Sequence, residues 1–317
     1  MGDGDPARPA VADRMAGLDD QWRALAPELG RIERWRLLLV GIGGLLAVLG
    51  VGLLVWGLGE FVGAVRSGFP WAAYVVVGSL TTSLGRTMLG SPARRAGKLI
   101  RRRVAGCLGL SYQRDARRFP IDSFERNDLL PGHSTRRLDD LVFGEVSGVP
   151  LIFCDATLLQ ARGRNRKPSQ VFRGPLVISR FPKRARGRTL VVPDGGAIGN
   201  FFRGLQDEHR RRVALESPEF ERVFAVYSTD QVEARYLLTP TVMERLLALR
   251  RRFPGRMTVA FDGHEFLLAL DDRRDWFPDP GPFRRLTDPT LVREPLEELA
   301  RLAEIVEILR LNLDSRA

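Results

Sequence analysis

The sequence predicts an α+β protein in which an N-terminal transmembrane α-helical hairpin precedes a cytosolic domain with a mostly antiparallel β-sheet and packed helices. Two apolar runs, Leu37–Gly59 and Ser67–Gly85, predict the hairpin. After about residue 120, short β-like runs alternate with glycine, proline and charged turns, which predicts the sheet. Further along, apolar residues recur at helical spacing, which predicts helices that pack on that sheet.

The first apolar run has the length and composition of a membrane-spanning helix. It contains no charged residue between Arg36 and Glu60. As an α-helix it would be about 35 Å long, which is enough to cross the hydrocarbon core of a bilayer. It is apolar on every face, unlike an amphipathic core helix, and the charged segment before it does not fit a signal peptide. Five glycines suit either close helix packing or simple low-volume filler: Gly41, Gly44, Gly50, Gly52 and Gly57.

The second apolar run is weaker, because Gly68 and Pro70 open it and hydroxyl residues dilute its far half. We expect its helix over Trp71–Leu89, since serine and threonine in a spanning helix can bond back to the chain. Basic residues flank the outer ends of both runs, whereas the connecting loop offers only Glu60 and Arg66. The positive-inside rule then predicts a protein of the bacterial inner (plasma) membrane with both termini in the cytoplasm.

Composition and periodicity divide the chain into five segments. Leu18, Trp22 and Leu25 have helical spacing ahead of the first run, and Ser91-Pro92 can begin a helix after the second. The predicted segments are a disordered N-terminus at 1–16, an amphipathic helix at 17–36, the two-helix transmembrane hairpin at 37–89, a basic juxtamembrane helix at 90–119 and the cytosolic α+β domain at 120–317.

Four strands are predicted in the first part of the cytosolic domain, and they are Leu141–Val146, Val149–Cys154, Val171–Ile178 and Thr189–Val192. Further on, Thr239 is a natural N-cap with Pro240 at the first helical position.

The last part of the domain is predicted to hold a hairpin and a helix. The Asp262-Gly263 pair predicts a turn that joins Met257–Phe261 to Phe266–Leu270. A last helix is expected over about Pro289–Asn312, and it is too short in heptads to indicate a coiled coil.

The formal net charge of +11 calls for an acidic partner or surface. Basic residues cluster after the second apolar run and again between Ala156 and Pro193, where there is no acid. Anionic lipid headgroups require fewer assumptions than nucleic acid, because the domain is tethered beside a bilayer; solvated loops without a partner are the alternative. The residues expected to contact lipid or phosphate are Arg94, Arg95, Lys98, Arg101, Arg102, Arg103, Arg162, Arg164, Arg166, Lys167 and Arg173.

No catalytic constellation is recognisable in the sequence. His264-Glu265 lacks the second histidine of a zinc-protease helix, and the two cysteines form no CxxC pair. We therefore expect no catalytic residue, metal or cofactor. Asp194–Gly199 could cradle a phosphate on its backbone N–H groups, with a plain glycine turn as the alternative. The glycines in question are Gly195, Gly196 and Gly199.

Two stretches resemble a known family. They are Val171–Gly174 continuing to Gly187–Asp194, and Phe220–Leu249, which is most specific in Val226–Pro240. Over about residues 140–275 they resemble the bacterial Domain of Unknown Function 3137 family. The resemblance implies a pair of spanning helices ahead of one soluble domain, and it brings no activity, cofactor or catalytic residue. The polar and aromatic residues of the motif are Tyr227, Ser228, Thr229, Asp230, Glu233 and Arg235.

We expect this motif to be a folding signature more than a binding site. Ser228 or Thr229 can cap a turn of helix, with Asp230 favourable at its positive end. Glu233 and Arg235 are expected to form a salt bridge or an internal anchor.

The sequence favours an integral membrane protein whose cytosolic domain is a binding or scaffold module, with a protein partner that the sequence does not identify. The alternative is a membrane-surface enzyme acting on a phosphate-containing or lipid substrate. Such an enzyme would need a pocket that joins Asp194–Gly199 to Arg173 or Arg235. A nucleic-acid tether is a weaker alternative, because no known nucleic-acid-binding motif accompanies the basic residues.

Overall fold

A computed structural model describes residues 18–63, 71–146, 148–161, 167–194, 211–253, 255–281, 283–286, 288, 290–297 and 299–300. The predicted disordered N-terminus and the end of the predicted last helix lie outside these residues. Two compact units divide the chain. The helix unit holds the described residues of Ala12–Arg103 and Pro278–Glu294, and the sheet unit holds those of Val104–Phe277 and Pro295–Ala317.

Two long helices, α1 (Leu18–Gly63) and α2 (Trp71–Cys107), make up most of the helix unit. They run antiparallel and approach closely at glycines. A Cβ atom built on Gly50 would lie 2.3 Å from Thr82 Oγ1, and one on Gly85 would lie 2.5 Å from the Gly43 carbonyl oxygen. By contrast, Gly41, Gly44 and Gly52 have nothing within 4 Å of such an atom. Gly50 and Gly85 therefore allow the two helices to pack closely, whereas Gly41, Gly44 and Gly52 do not lie at this contact.

The helices cross the predicted segment boundaries without a break. The segment predicted as an amphipathic helix and the first apolar run form the single helix α1, and α2 continues through Ser91-Pro92 rather than beginning there. The change from apolar to charged side chains alters the preferred solvent but not the backbone conformation. The juxtamembrane helix predicted to reach residue 119 ends at Cys107, because Gly109 adopts a left-handed conformation with φ of 72° and a strand follows.

Within the described residues, seven antiparallel strands form one sheet in the sheet unit, as the α+β prediction requires. They are β1 (Leu110–Asp115), β2 (Thr135–Val146), β3 (Val149–Gln160), β4 (Ser169–Pro193), β5 (Arg211–Val213), β6 (Phe224–Ser228) and β7 (Arg256–Asp271). Their order is β1-β2-β3-β4-β6-β5, and β7 also pairs with β4. The predicted strands Leu141–Val146 and Val149–Cys154 are parts of β2 and β3.

The long strand β4 organises this sheet and corrects two predictions. Val171–Ile178 and Thr189–Val192 are two halves of β4, whose register with β7 shifts around Ala185. The predicted hairpin at Asp262-Gly263 is wrong, because both of its arms belong to the single strand β7 and pair with β4. Gly263 has a φ of 60° and lies opposite the shifted part of β4, so the Asp-Gly pair lets β7 bend alongside β4 instead of turning back.

Four helices in the described part of the chain accompany the sheet: α3 (Asp122–Arg126), α4 (Pro218–Val223), α5 (Gln231–Leu237) and α6 (Pro240–Arg252). The N-cap prediction for α6 is confirmed, since Thr239 Oγ1 accepts a hydrogen bond from the Val242 N–H. Alternating strand residues form one buried cluster with Phe119 and Phe124, which lie in and near α3. Residues 290–297 are helical, and they lie within the span predicted for the last helix.

Candidate functional site

A groove of about 710 Å³ opens between α1 and α2 in the helix unit. We call it the interhelical groove. Successive turns of one face of α1 supply one wall, and one face of α2 supplies the other. The lining residues are Glu28, Arg31, Ile32, Trp35 and Leu39 from α1, with Pro92, Arg95 and Leu99 from α2.

Polarity changes along the groove. Arg31 and Arg95 lie on facing walls, while Trp35 and Leu39 continue the α1 wall toward the apolar run. With a rise of 1.5 Å per residue, Leu39 lies about 12 Å along the helix axis from Arg31. The α1 wall of the groove therefore changes from charged to apolar toward the uncharged part of α1, and Arg95 adds a second positive charge on the α2 wall.

The two groove arginines have no ion pair with any residue that the structure describes. Other charged side chains nearby do have partners. Glu28 lies 3.9 Å from Arg103, and Arg36, which is buried, pairs with Glu33. Arg31 and Arg95 are both exposed. They consequently present positive charge to whatever occupies the groove.

The predicted lipid-contact residues of α2 separate into two groups. Arg94, Lys98 and Arg102 are exposed, as is Arg95 of the groove. Arg101 is different, because only 2% of its side chain is exposed and its guanidinium lies 2.6 Å from Asp279. Arg101 is therefore an internal ion-pair residue rather than the predicted contact for a headgroup.

The second predicted basic cluster is only partly within the described residues. Arg162, Arg164 and Arg166 lie outside them, as do Gly195, Gly196 and Gly199 of the phosphate-loop hypothesis. Lys167 is exposed. Arg173 pairs with Asp275 at 3.0 Å, and Asp194 lies 3.4 Å from Arg212. Because Arg173 and Asp194 stand at opposite ends of β4, the described residues do not bring Arg173 to Asp194.

The family motif holds the bend of β4 in place. The Glu233 carboxylate on α5 accepts hydrogen bonds from the backbone N–H groups of Arg186, at 2.5 Å, and Gly187, at 2.6 Å. Thr229 Oγ1 accepts one from the Arg188 N–H at 3.0 Å, and the Thr229 N–H donates to the Arg188 carbonyl. We call these contacts the strand–helix latch. They satisfy backbone groups of β4 in the gap between its pairing with β3, which ends at Ser179, and its pairing with β6, which begins at Thr189.

The other motif residues are also engaged internally. Tyr227 is buried, and Ser228 Oγ lies 2.9 Å from Thr189 Oγ1. The N-cap of α5 is Asp230, whose carboxylate accepts from two backbone N–H groups, rather than the predicted Ser228 or Thr229. Arg235 Nε donates to the Ala214 carbonyl at 3.4 Å. The structure thus uses the motif as a folding element.

A buried carboxyl group lies elsewhere in the sheet unit. Burial and the nearby carboxylates of Asp275 and Asp140 raise the pKa of Asp155 to about 8, although Arg173 acts in the opposite direction. Asp155 Oδ1 is buried without a hydrogen-bond partner in the described part of the chain. Asp155 therefore carries a proton at neutral pH, as a neutral acid inside the fold.

The motif and the strands around it can be compared with known proteins. Residues 170–311 match the model of a family described as a protein of unknown function, DUF3137. The chain carries a DUF3137 domain. Every contact of the strand–helix latch lies inside the matched residues. No curated protein matches the DUF3137 chain.

One solved structure is similar to the DUF3137 chain at a low level. It is the crystal structure of the mycobacterial trehalose monomycolate transport factor A, TtfA. The two sequences are 11% identical, the TM-score is 0.33, and the match covers 68% of this chain and 97% of that one. A TM-score this low does not establish a common fold.

The groove residues on α1 were not predicted as a site from the sequence. Neither Arg31 nor Trp35 is among the site residues that the sequence predicts. Their spacing with Leu39 is a usable signal, since positions i, i+4 and i+8 share one helix face where an uncharged run begins. What the sequence does not contain is the facing wall, because Arg95 joins them only through the antiparallel pairing of α1 and α2.

Proposed function

We propose that this DUF3137 protein is an integral protein of the bacterial inner membrane, anchored by α1 and α2. Its sheet unit acts as a binding or scaffold module on the cytoplasmic side, where the basic residues of α2 contact anionic lipid headgroups. The observation that carries the proposal is the row of large apolar side chains that α1 exposes between Trp35 and Trp56. In water such a surface would be unfavourable, and in a bilayer it is solvated by lipid.

The two tryptophans match the dimensions of a bilayer. Trp35 is 66% exposed and Trp56 is 65% exposed. They are separated along α1 by a rise of about 31 Å, close to the thickness of the hydrocarbon core. Tryptophan is enriched at both membrane interfaces. Within the described residues one helix is long and apolar enough to cross a membrane, the Pro27–Gly59 part of α1.

The second helix supports a second span through its hydroxyl groups. Ser79, Thr81 and Thr82 each donate to a backbone carbonyl one turn earlier in α2, so these polar groups are satisfied within the helix. Satisfied hydroxyls are tolerated in hydrocarbon, where unsatisfied ones are costly. Leu80 and Leu84 are exposed on the same stretch. This pattern favours a lipid-facing position for α2. By length and apolar composition alone, α1 qualifies as a membrane span within the described residues and α2 does not.

Protease accessibility of a C-terminal tag on the full chain tests the topology. We expect the tag to be cleaved in inverted membrane vesicles and protected in intact spheroplasts, because both helices cross and the positive flanks stay in the cytoplasm. Cleavage in spheroplasts would overturn the proposal, since it would place the sheet unit outside the cell. Extraction of the chain by alkaline carbonate would overturn it as well, because it would show that neither helix is integrated.

A further inference from the structure

We infer that the interhelical groove binds one anionic phospholipid, with its phosphate on Arg31 and Arg95 and one acyl chain along Trp35 and Leu39. The inference rests on the proposed membrane anchoring and names the ligand of that region. It concerns a single bound molecule in a defined groove, which is a stronger claim than general attraction between basic residues and a charged bilayer.

The two groove arginines select the headgroup. Arg31 lines the groove from α1 and Arg95 lines it from α2, and guanidinium groups are suited to bind a phosphate. Neither guanidinium has an ion pair among the described residues, whereas the one acid of the groove, Glu28, lies near Arg103. A choline group would bring a further positive charge against the arginines. The charge complementarity therefore favours an anionic lipid over a zwitterionic one.

The apolar lining of the α1 wall selects a ligand that has a chain. Trp35 is 66% exposed although it lines the groove, and Leu39 beside it is partly exposed. Covering these side chains with an acyl chain removes apolar surface that the protein leaves open. The volume of about 710 Å³ lies in the range of pockets that hold one small ligand. It suits a headgroup and the first part of one chain, with the remainder lying along α1 in the bilayer.

The direction of the groove agrees with the expected orientation of the lipid. In a bilayer the phosphate lies outside the acyl chains, along the membrane normal. On α1, Arg31 lies farther from the apolar run than Trp35 and Leu39, so a phosphate held by Arg31 lies outside an acyl chain on those two residues. A lipid of the cytoplasmic leaflet could therefore enter without being inverted.

Native mass spectrometry of the full chain in a mild neutral detergent tests the inference. The chain is incubated separately with phosphatidylglycerol and with phosphatidylcholine. We expect one phosphatidylglycerol to be retained per chain and phosphatidylcholine to be lost under the same conditions. The double variant Arg31→Gln/Arg95→Gln should weaken retention by about tenfold or more, since it removes both phosphate donors. Trp35→Ala should weaken it by a smaller factor.

The matched control is Arg94→Gln/Arg102→Gln, which removes the same charge from exposed positions of α2 that do not line the groove. We expect it to retain the lipid within about twofold of the unmodified chain, because exposed charges at a distance are screened. Equal losses in the two double variants would overturn the inference and leave only diffuse attraction. Equal retention of phosphatidylcholine would overturn the anionic selectivity.

Two further outcomes separate this inference from the proposed function. Competition by glycerol phosphate at the same concentration as the lipid would show a site for small phosphates and overturn the role of the acyl chain. Failure to retain phosphatidylglycerol, in a chain that resists carbonate extraction, would overturn the inference while the membrane anchoring stands. A chain that carbonate extracts would overturn both.

Discussion

The helix unit and the sheet unit treat their polar side chains in opposite ways. In the sheet unit, the polar residues of the family motif bond to the backbone of their own chain, as Glu233 does at Arg186 and Gly187. In the helix unit, Arg31 and Arg95 face an open groove and have no ion pair among the described residues. The comparison teaches that the most recognisable sequence motif need not mark the ligand site. Polar groups that the fold has already satisfied are poor candidates for binding, and those left uncompensated beside a groove are better ones.

The largest expected loss of stability is at Arg101, which, unlike Arg31 and Arg95, has an ion pair inside the helix unit. Arg101→Gln removes one partner of the buried pair with Asp279, whose exposed fractions are 2% and 27%. Breaking a buried pair leaves a charge without compensation, and we expect a loss of about 3 kcal/mol in the free energy of unfolding. Urea titration of the full chain in neutral detergent, followed by circular dichroism, measures it. The neighbouring exposed residue gives the control, since Arg102→Gln should change the free energy by less than about 0.5 kcal/mol. Similar values for the two variants would contradict the internal role of Arg101.

The next effect tests the pairing of the two helices. Gly50→Leu would place side-chain atoms where Thr82 Oγ1 already lies 2.3 Å from an added Cβ atom, with the Thr82 backbone nitrogen at 2.7 Å. We expect a loss of about 2 kcal/mol, because overpacking forces the helices apart. Gly52→Leu is the matched control in the same run, since nothing lies within 4 Å of a Cβ atom there. The difference in thermal unfolding midpoint between the two variants is the measurement. Equal midpoints would show that α1 and α2 do not pack through Gly50.

The sequence predicted the features whose signals lie within one short segment. It did not predict the features that depend on contacts between distant residues. The uncharged run of α1 and the cap at Thr239 are signals within one short segment, and both agree with the structure. The hairpin at Asp262-Gly263 failed because the same residue pair suits a turn or a bulge. Only pairing with β4, distant in sequence, decides between them. The groove was missed for a similar reason, since its walls come from two helices.

A pH effect sharpens the comparison within the sheet unit, where Asp155 Oδ1 is buried without a hydrogen-bond partner in the described part of the chain. Its pKa is raised from 3.8 to about 8 in the folded chain. Between these pH values the folded state holds a proton that the unfolded state has released. The free energy of unfolding should therefore be highest below about pH 4 for this group and fall as pH rises to about 8. The slope from one proton is at most about 1.4 kcal/mol per pH unit.

Asp155→Asn removes this contribution, because the amide stays neutral at every pH. We expect the difference in unfolding free energy between the variant and the unmodified chain to change steadily in favour of the variant from pH 5 to pH 8. Urea titrations across that range measure the difference. Asp194→Asn is the control for the same substitution at an exposed position, and the pH dependence of the Asp155→Asn difference is compared with it. A pH-independent difference for Asp155→Asn would contradict a buried neutral acid.

The smallest expected loss of stability is at Glu233, and it tests most directly whether the family motif serves folding or binding. Glu233→Gln keeps the shape of the side chain but sets an NH₂ group against one of the two backbone N–H donors of the strand–helix latch. Because the latch is partly exposed to water, we expect a loss of about 1 kcal/mol rather than the larger value of a buried charge-assisted bond. Glu219→Gln is the control: its pair with Arg251 is exposed on both sides and should contribute less than about 0.5 kcal/mol.

Glu233→Gln should leave phosphatidylglycerol retention unchanged, whereas Arg31→Gln/Arg95→Gln should reduce retention and leave the unfolding free energy within about 0.5 kcal/mol. If Glu233→Gln lowered lipid retention as strongly as the groove variant, the motif would belong to the binding site and the contrast between the two units would fail.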